Sequence, residues 1–312
     1  MGKLLKLIQN EWMKLWHQKS TWVMLIILIV VIIGFGGLNK YYSNTDDRDW
    51  RTVVEEELKM DKESLAQEDI DADYASYLQD NIAIAEYRLA ENIAPQKGES
   101  FASFMSFGVD LFMFVTLFTV IIAASIVSSE YSTGTIKMLL TRPVSRAKIL
   151  TSKLLTSFLY GFFLIAVSLA MTAIVGLVLF GQESGVQLTM VDGIIKEVDT
   201  WGDLFEKAYL SLGNFTMSIL FAFLIGSVFR SSALAIGLTM FLSFSGSLVV
   251  MLLSKYWFAK YIWLAHDLIQ YQTGYFMIEG ITMPFSLAIL AVYAIIFLII
   301  SYWSFMKRDV TA

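Results

Sequence analysis

The sequence predicts an all-α integral membrane protein that crosses the bilayer six times. Of its 312 residues, 56% are hydrophobic and only 16% are charged, and the apolar residues gather in long uncharged runs. Soluble domains carry about 25% charged residues. Backbone groups in lipid must be hydrogen-bonded within their own segment, so these runs are expected to form helices.

Six runs approach or exceed the ~20 residues that a helix needs to cross the hydrocarbon. Asp110 is the one charged residue within them. An intramembrane charge is a functional candidate, but Asp110 lies three residues from the end of its run, and reaching out to water is the favoured interpretation. The predicted spans are residues 20–38, 107–128, 154–180, 209–229, 232–253 and 284–306.

The distribution of basic residues predicts that the N- and C-termini are both cytoplasmic. Short loops on the inner side of a membrane are enriched in Lys and Arg. With the N-terminus inside, the inner segments hold 12 Lys and Arg in 52 residues, whereas the short outer segments hold 4 in 58. The inner segments are then 1–19, 129–153, 230–231 and the tail 307–312, and the short outer segments are 181–208 and 254–283.

Residues 1–19 predict an amphipathic interfacial helix before the first span. Trp12 and Trp16 lie on its apolar face, and lysines lie among or beside the apolar residues. Tryptophan and lysine in this arrangement are typical of a helix in the headgroup layer. Two roles stay open: an elbow helix that contacts a cytoplasmic partner, or a simple anchor.

The segments predicted outside the membrane are also patterned. Residues 39–106 carry two apolar stripes with helical spacing, at 50–58 and 74–89, and we expect two antiparallel helices in an extracellular insertion. The acidic run 68–73 lacks the glycine and the terminal glutamate of a calcium loop, so it predicts a solvated face. Residues 254–283 are rich in Tyr, Trp and Phe, which is typical of a membrane interface.

The inner loop 129–153 is the strongest candidate for a functional site. A turn at Gly134 is followed by a short helix over 135–140, which Pro143 ends, and Ser145 is placed to cap the next helix. Leaving the apolar residues of that helix open to the cytoplasm is costly unless another protein covers them. The alternative is a connector that rests on lipid headgroups. The predicted site residues are Glu130, Gly134, Thr135, Ile136, Lys137, Met138, Leu139, Leu140, Arg142, Pro143, Ser145 and Arg146.

The loop also carries a resemblance to a known family. Its residues match the pattern E-x(3)-G-T-x(3)-L-L-x(2)-P-x-S-R from Glu130 to Arg146, and the chain resembles the bacterial ABC-2 type permeases. Among these it is similar to Gram-positive permeases linked to antimicrobial-peptide resistance, bacitracin export and sodium extrusion. The resemblance implies that this loop contains the coupling helix, which docks in a groove of an ABC ATPase subunit.

The same resemblance implies the rest of the assembly. Two ATPase subunits, which bind ATP and magnesium, would drive a dimer of permease chains in the bacterial plasma membrane, with this chain paired either with itself or with a sister chain. The implied substrate is a peptide antibiotic or another amphipathic or hydrophobic molecule. Membrane lipid is the other expected partner, and nucleic acid is not expected.

No motif for catalysis is present, so the chain is not expected to be an enzyme by itself. It lacks a phosphate-binding loop, and its two histidines, His17 and His266, are predicted on opposite faces of the membrane. It has no cysteine, and no cofactor or metal site is expected. The alternative function is a membrane sensor or scaffold that binds a ligand through residues 39–106. A channel or secondary transporter is disfavoured because paired intramembrane charges are lacking.

Overall fold

The described part of the chain folds into mostly long helices and one small β-hairpin. In the computed structural model the helices are α1 (Gly2–Trp16), α2 (Lys19–Ser43), α3 (Trp50–Leu65), α4 (Ala72–Glu91), α5 (Phe101–Asp110), α6 (Phe112–Ser132), α7 (Arg146–Phe180), α8 (Thr200–Phe229), α9 (Ser232–Leu253), α10 (Gln270–Thr273) and α11 (Met283–Lys307). The strands are β1 (Leu188–Val191) and β2 (Ile194–Glu197). The structure describes residues 2–43, 48–66, 71–95, 100–135, 144–181, 186–191, 193–229 and 231–307.

The prediction of six membrane-crossing helices is confirmed. Within the described ranges, six helical stretches are long and apolar enough to cross a bilayer, with α5 and α6 counted together as one stretch over Phe101–Ser132. Several of them extend beyond the apolar runs. Helix α7 contains 35 residues and α8 contains 30, so both begin in sequence that is more polar than their centres.

The described residues of Met1–Ile29, Val109–Ser168 and Glu206–Ala312 form one compact unit, the bundle unit. Its core is made by side chains such as Val127 of α6, Leu150 of α7, Phe223 of α8 and Phe297 of α11. Alpha-helices approach closely where small residues meet. A Cβ added at Gly226 of α8 would overlap the carbonyl oxygen of Ala124 in α6.

The described residues of Val30–Gly108 and Leu169–Phe205 form a second compact unit, the insertion unit. Helices α3 and α4 pack antiparallel, as the two apolar stripes predict, and bury Val54 and Leu78 between them. An ion pair of 2.7 Å between Lys62 and Glu86 also joins the two helices. The Arg88 guanidinium donates a hydrogen bond to the carbonyl oxygen of Val186 at 2.8 Å, which ties α4 to the segment before β1. Burial lowers the pKa of this guanidinium from its usual range.

Residues 181–208, expected as a short outer loop, contain more structure than predicted. Strands β1 and β2 pair antiparallel, with Leu188 opposite Glu197 and Val191 opposite Ile194. Gly193 lies in the turn between the strands with φ +75°, a conformation that glycine adopts without strain. Helix α8 then begins at Thr200, well before the apolar run at 209–229. This extension places Lys207 on a helix.

Candidate functional site

Three helices of the bundle unit bring four charged side chains together at the base of the loop that joins α6 to α7. Glu11 and Lys14 come from α1, Glu130 from the end of α6, and Lys153 from the beginning of α7. We call these four residues the ion cluster. Its position matters because the loop that follows α6 and precedes α7 contains the residues predicted to contact an ATPase.

Lys153 is at the centre of the ion cluster, with only 1% of its side chain exposed. Its Nζ lies 2.9 Å from Glu11 Oε2 and 3.0 Å from Glu130 Oε1, and it donates a third bond of 3.0 Å to the carbonyl oxygen of Ile126. An ammonium has three N–H donors, and all three are used here. One buried side chain therefore holds three helices together.

Lys14 completes the cluster at its rim, where about half of its side chain is exposed. Its Nζ lies 3.0 Å from Glu130 Oε1 and 3.4 Å from Glu11 Oε1. Partial burial lowers the pKa of Lys14, but the charge of Glu11 and the hydrogen bond to Glu130 outweigh that effect and raise the pKa overall. With both lysines charged, two ammonium groups balance two carboxylates, and such pairing is what makes buried charge tolerable.

The first residues of the loop are attached to this cluster. The Thr135 hydroxyl donates a hydrogen bond to Glu130, and it also lies 3.0 Å from the hydroxyl of Thr133. Gly134 between them has φ +73°, as expected for the predicted turn. Glu130 therefore contacts α1, α7 and the start of the loop at once.

The far end of the loop is attached to another helix. Helix α7 begins at Arg146, and the carbonyl oxygen of Ser145 accepts a helical hydrogen bond from the N–H of Ile149 at 3.3 Å. The Arg146 guanidinium donates to the carbonyl oxygen of Met306 in α11 at 3.0 Å. The remaining predicted residues, Ile136, Lys137, Met138, Leu139, Leu140, Arg142 and Pro143, lie outside the described residues.

The two tryptophans of α1 pack against other helices of the bundle unit and are partly exposed. Trp12 and Trp16 are half-buried and contact Phe163 of α7 edge to face, with ring centroids 5.9 and 5.2 Å apart. Trp16 also contacts Trp22 of α2, with centroids 5.2 Å apart. Edge-to-face pairs of this kind add to the packing energy of the buried area. Helix α1 is thus fixed to α7 by aromatic packing as well as by Lys153.

Asp110, the charge found within an apolar run, forms an ion pair away from the ion cluster. It ends α5, and its carboxylate pairs with the Lys207 ammonium of α8. The Asp110 side chain is 57% exposed. The pair is formed on the N-terminal extension of α8, in the segment 181–208 that the sequence predicts as an outer loop.

Glu11 and Lys153 are not among the residues predicted from sequence, although a signal for each was present. Glu11 lies in the apolar stripe of α1, at helical spacing from Ile8 and Leu15, where a charge is unexpected. Lys153 lies at helical spacing from Ile149 and Leu150, which are both buried. A charge on an apolar helix face indicates a buried pair. In the described part of the chain, no three or more His, Asp or Glu side chains are grouped to bind a metal.

Comparison with known proteins identifies relatives over nearly the whole chain. A family model described as "Protein of unknown function (DUF2705)" matches residues 72–311. The "Uncharacterized protein YhcI" of Bacillus subtilis (strain 168) is 36% identical over 315 aligned positions, covering 98% of this chain and 99% of the relative. The "Uncharacterized membrane protein YdbK" of the same organism is 31% identical over 216 positions, covering 68% of this chain and 84% of the relative. With its six apolar helices, this chain is a multi-pass membrane protein.

Proposed function

Starting from the fact that the chain belongs to the family of proteins of unknown function DUF2705, we propose that it is the membrane-spanning subunit of an ABC transporter. In this proposal two such chains, or this chain and a sister, associate with two ATPase subunits in the bacterial plasma membrane. The N- and C-termini face the cytoplasm, α1 is the elbow helix, and the loop 129–153 contains the coupling helix. The transported molecule is a peptide antibiotic or another amphipathic or hydrophobic compound.

The ion cluster is the observation that carries this proposal. A loop that only connects two spans needs a few polar residues and no buried anchor. Here three charged groups are buried and a fourth is half-exposed at the base of the loop, although desolvating charges costs several kcal/mol per ion unless their pairing is good. Such a cluster resists separation of its parts. The ion cluster therefore favours a loop that transmits force, because such a loop must keep its position relative to α1, α6 and α7.

The contacts suggest how force applied to the loop would reach the spans. A push on residues 136–143 is passed through Thr135 to Glu130, and from Glu130 through Lys153 to α7 and to Glu11 of α1. Arg146 passes the same movement to α11. ATP binding shifts the spans between inward-open and outward-open states only if the closed ATPase pair binds one state better than the other. A rigid connection between the loop and the spans makes the position of the loop differ between the two states, so the ATPase pair can bind one of them better. With a flexible connection the loop would move without the spans.

Co-purification from the native membrane tests the proposal. We expect a soluble ATPase with a phosphate-binding loop to accompany the chain in mild detergent, and Leu139→Asp to remove it, because the new charge would be buried unpaired at the contact. Met60→Asp is the matched control, since Met60 is exposed on α3 of the insertion unit. Loss of the ATPase in both variants, or its retention in both, contradicts the docking site.

Glu130→Ala is expected to weaken coupling without removing the contact surface. The variant keeps residues 136–143 but leaves Lys153 with one carboxylate partner and Thr135 with none on α6. We expect the ATPase to stay bound while substrate-stimulated ATP hydrolysis falls. Unchanged stimulated hydrolysis argues against a role for Glu130. If no ATPase accompanies the folded wild-type chain in several detergents, the sensor or scaffold function is favoured, and residues 39–106 become the segment to test for ligands.

A further inference from the structure

The bundle unit contains two adjoining cavities that the transporter proposal does not use. The first, of about 250 Å³, lies among α5, α6, α8, α9 and residues 267–269. The second, of about 200 Å³, lies among α8, α9, the beginning of α11 and residues 263–277. They share the wall residues Asn214, Ser218, Ser243, Asp267 and Ile269.

The walls of the first cavity are amphipathic. Phe112, Met113, Phe215 and Phe244 supply aromatic and thioether surface, while hydroxyl and amide groups from α8 and α9 supply hydrogen-bonding atoms. Ligand sites are typically apolar hollows with a small number of placed polar groups. A volume of 250 Å³ equals that of about eight water molecules in the liquid, so the matching ligand is small.

Among the described residues, the walls of the two cavities carry two negative side chains, Asp110 and Asp267, and one positive side chain, Lys207. Asp110 and Lys207 line the first cavity as a pair and neutralise each other. Asp267 lines both cavities, and no ammonium or guanidinium group in the described ranges lies within ion-pair distance of it. Its Oδ1 accepts one hydrogen bond, from the N–H of Ile269 at 3.2 Å. One carboxylate therefore faces the cavities without a counter-ion.

The carboxylate of Asp267 is partly desolvated, although its side chain is exposed. The protein around the side chain removes enough water for desolvation to raise the pKa of its carboxyl, against the opposing hydrogen bond from Ile269. A cation bound beside the carboxylate would offset that penalty. A bound anion would increase it, and a neutral molecule would leave it unchanged.

The segment that carries Asp267 is held in place by its neighbour His266, which is 2% exposed. Its Nε2 lies 2.9 Å from the carbonyl oxygen of Lys260, which can only accept, so Nε2 carries the proton. Nδ1 then accepts from the Ser286 hydroxyl at 2.8 Å, and Ser286 Oγ accepts from the Tyr271 hydroxyl at 2.7 Å. Burial lowers the pKa of His266, so its imidazole is neutral. A neutral imidazole cannot serve as the counter-ion of Asp267.

We propose that the two cavities form a binding site for a small cationic amphipath, whose ammonium or guanidinium group pairs with Asp267. Its apolar body packs in the first cavity against Phe112, Phe215 and Phe244. Hydroxyl groups of Ser218 and Ser243 lie on the shared wall, where they face the polar end of the ligand. The site belongs to one chain, so binding requires neither an ATPase nor a second permease chain.

Octylammonium is a suitable probe because its nine non-hydrogen atoms match the first cavity and its one charge matches Asp267. Binding of tritiated octylammonium would be measured on the full chain in nanodiscs of zwitterionic phosphatidylcholine, with octanamide and octanoate as neutral and anionic competitors. We expect saturable binding, weak competition by octanamide and none by octanoate. Asp267→Asn should weaken binding about tenfold, which is near the lower end of what a hydrogen bond to a charged group contributes, because Asp267 is exposed.

Two further variants complete the experiment. Glu279→Gln is the matched control, because Glu279 is exposed near the same segment but lines neither cavity; it should bind like the wild type. Ser243→Leu fills the shared wall and should abolish binding. Absence of saturable binding to the folded wild type, equal affinity for octanamide, or unchanged affinity in Asp267→Asn would each overturn the proposal. None of these outcomes bears on the co-purification of an ATPase, so the two proposals fail separately.

Discussion

At the scale of single residues, Lys153 shows how a buried charge can organise helix ends. Its ammonium is enclosed by carboxylates from α1 and α6 and by a main-chain carbonyl. Removing one partner of a buried pair is far more costly than removing an exposed pair, because the remaining charges stay buried. The four residues of the ion cluster should therefore contribute very unequally to stability.

Replacing Lys153 with methionine tests this inequality. We expect Lys153→Met to lower the free energy of unfolding by about 3 kcal/mol, the lower end of the range for breaking a buried pair, because Lys14 still contacts both carboxylates. Lys14→Met should cost about 1 kcal/mol or less, since Lys14 is half-exposed. Thermal unfolding of the purified variants measures both.

Lys148→Met is the control for that series, because Lys148 is exposed on the same helix as Lys153. Its unfolding should match that of the wild type. An equal loss of stability in all three variants would mean that the lysines act through general charge and that the ion cluster has no special role.

At the scale of elements, α6 and α8 make a close contact that leaves no room for a side chain at Gly226. Gly226 leaves room for the main chain of α6 at Ala124, and Ser128 of α6 lies 2.7 Å from Ser232 of α9 through their hydroxyl groups. Small residues allow helix backbones to approach closely within membranes. The contact fixes α6, and therefore Glu130 at its end, relative to α8.

Gly226→Ala is expected to destabilise the protein although alanine favours helix. The added methyl group would overlap the Ala124 carbonyl, and overpacking of this kind costs about 1–3 kcal/mol. Gly237→Ala is the matched control, because a Cβ at Gly237 meets no atom within 4 Å and the gain in helix propensity is up to about 1 kcal/mol. Opposite shifts in the thermal unfolding midpoint are therefore predicted. A shift of the same sign in both would contradict the close contact.

At the scale of the whole molecule, the orientation in the membrane decides which surfaces an ATPase can reach. The excess of Lys and Arg in segments 1–19 and 129–153 predicts that the ion cluster is on the cytoplasmic side. The insertion unit would then present α3 and α4 to the outside.

Single cysteines can report this orientation, because the chain has none of its own. We expect a membrane-impermeant maleimide to label Glu57→Cys in intact cells and to label Lys148→Cys only after the membrane is opened. Both side chains are exposed, so access to the reagent depends on the side of the membrane. Labelling of Lys148→Cys in intact cells would reverse the orientation and remove the basis for docking a cytoplasmic ATPase.

The six spans and the antiparallel pair α3 and α4 can be predicted from the sequence alone. These features follow from composition and periodicity within windows of about 20 residues, and no distant contact is needed to recognise them. The β-hairpin also had a local signal, since Asp192-Gly193 separates two short apolar runs, although it was not predicted. The docking role of residues 136–143 stays a prediction, because they lie outside the described residues.

The pairing of the charged residues, in contrast, is visible only in the folded chain. Glu11 and Lys153 are separated by 142 positions in the chain, and Lys207 and Asp110 by 97. No local pattern specifies such partners, because the pairing depends on how the helices pack against one another. The same holds for Asp267. Only the folded chain shows that it lines both cavities and that no described basic side chain pairs with it. A charge in an apolar stripe indicates that a partner exists, and the fold determines which residue it is.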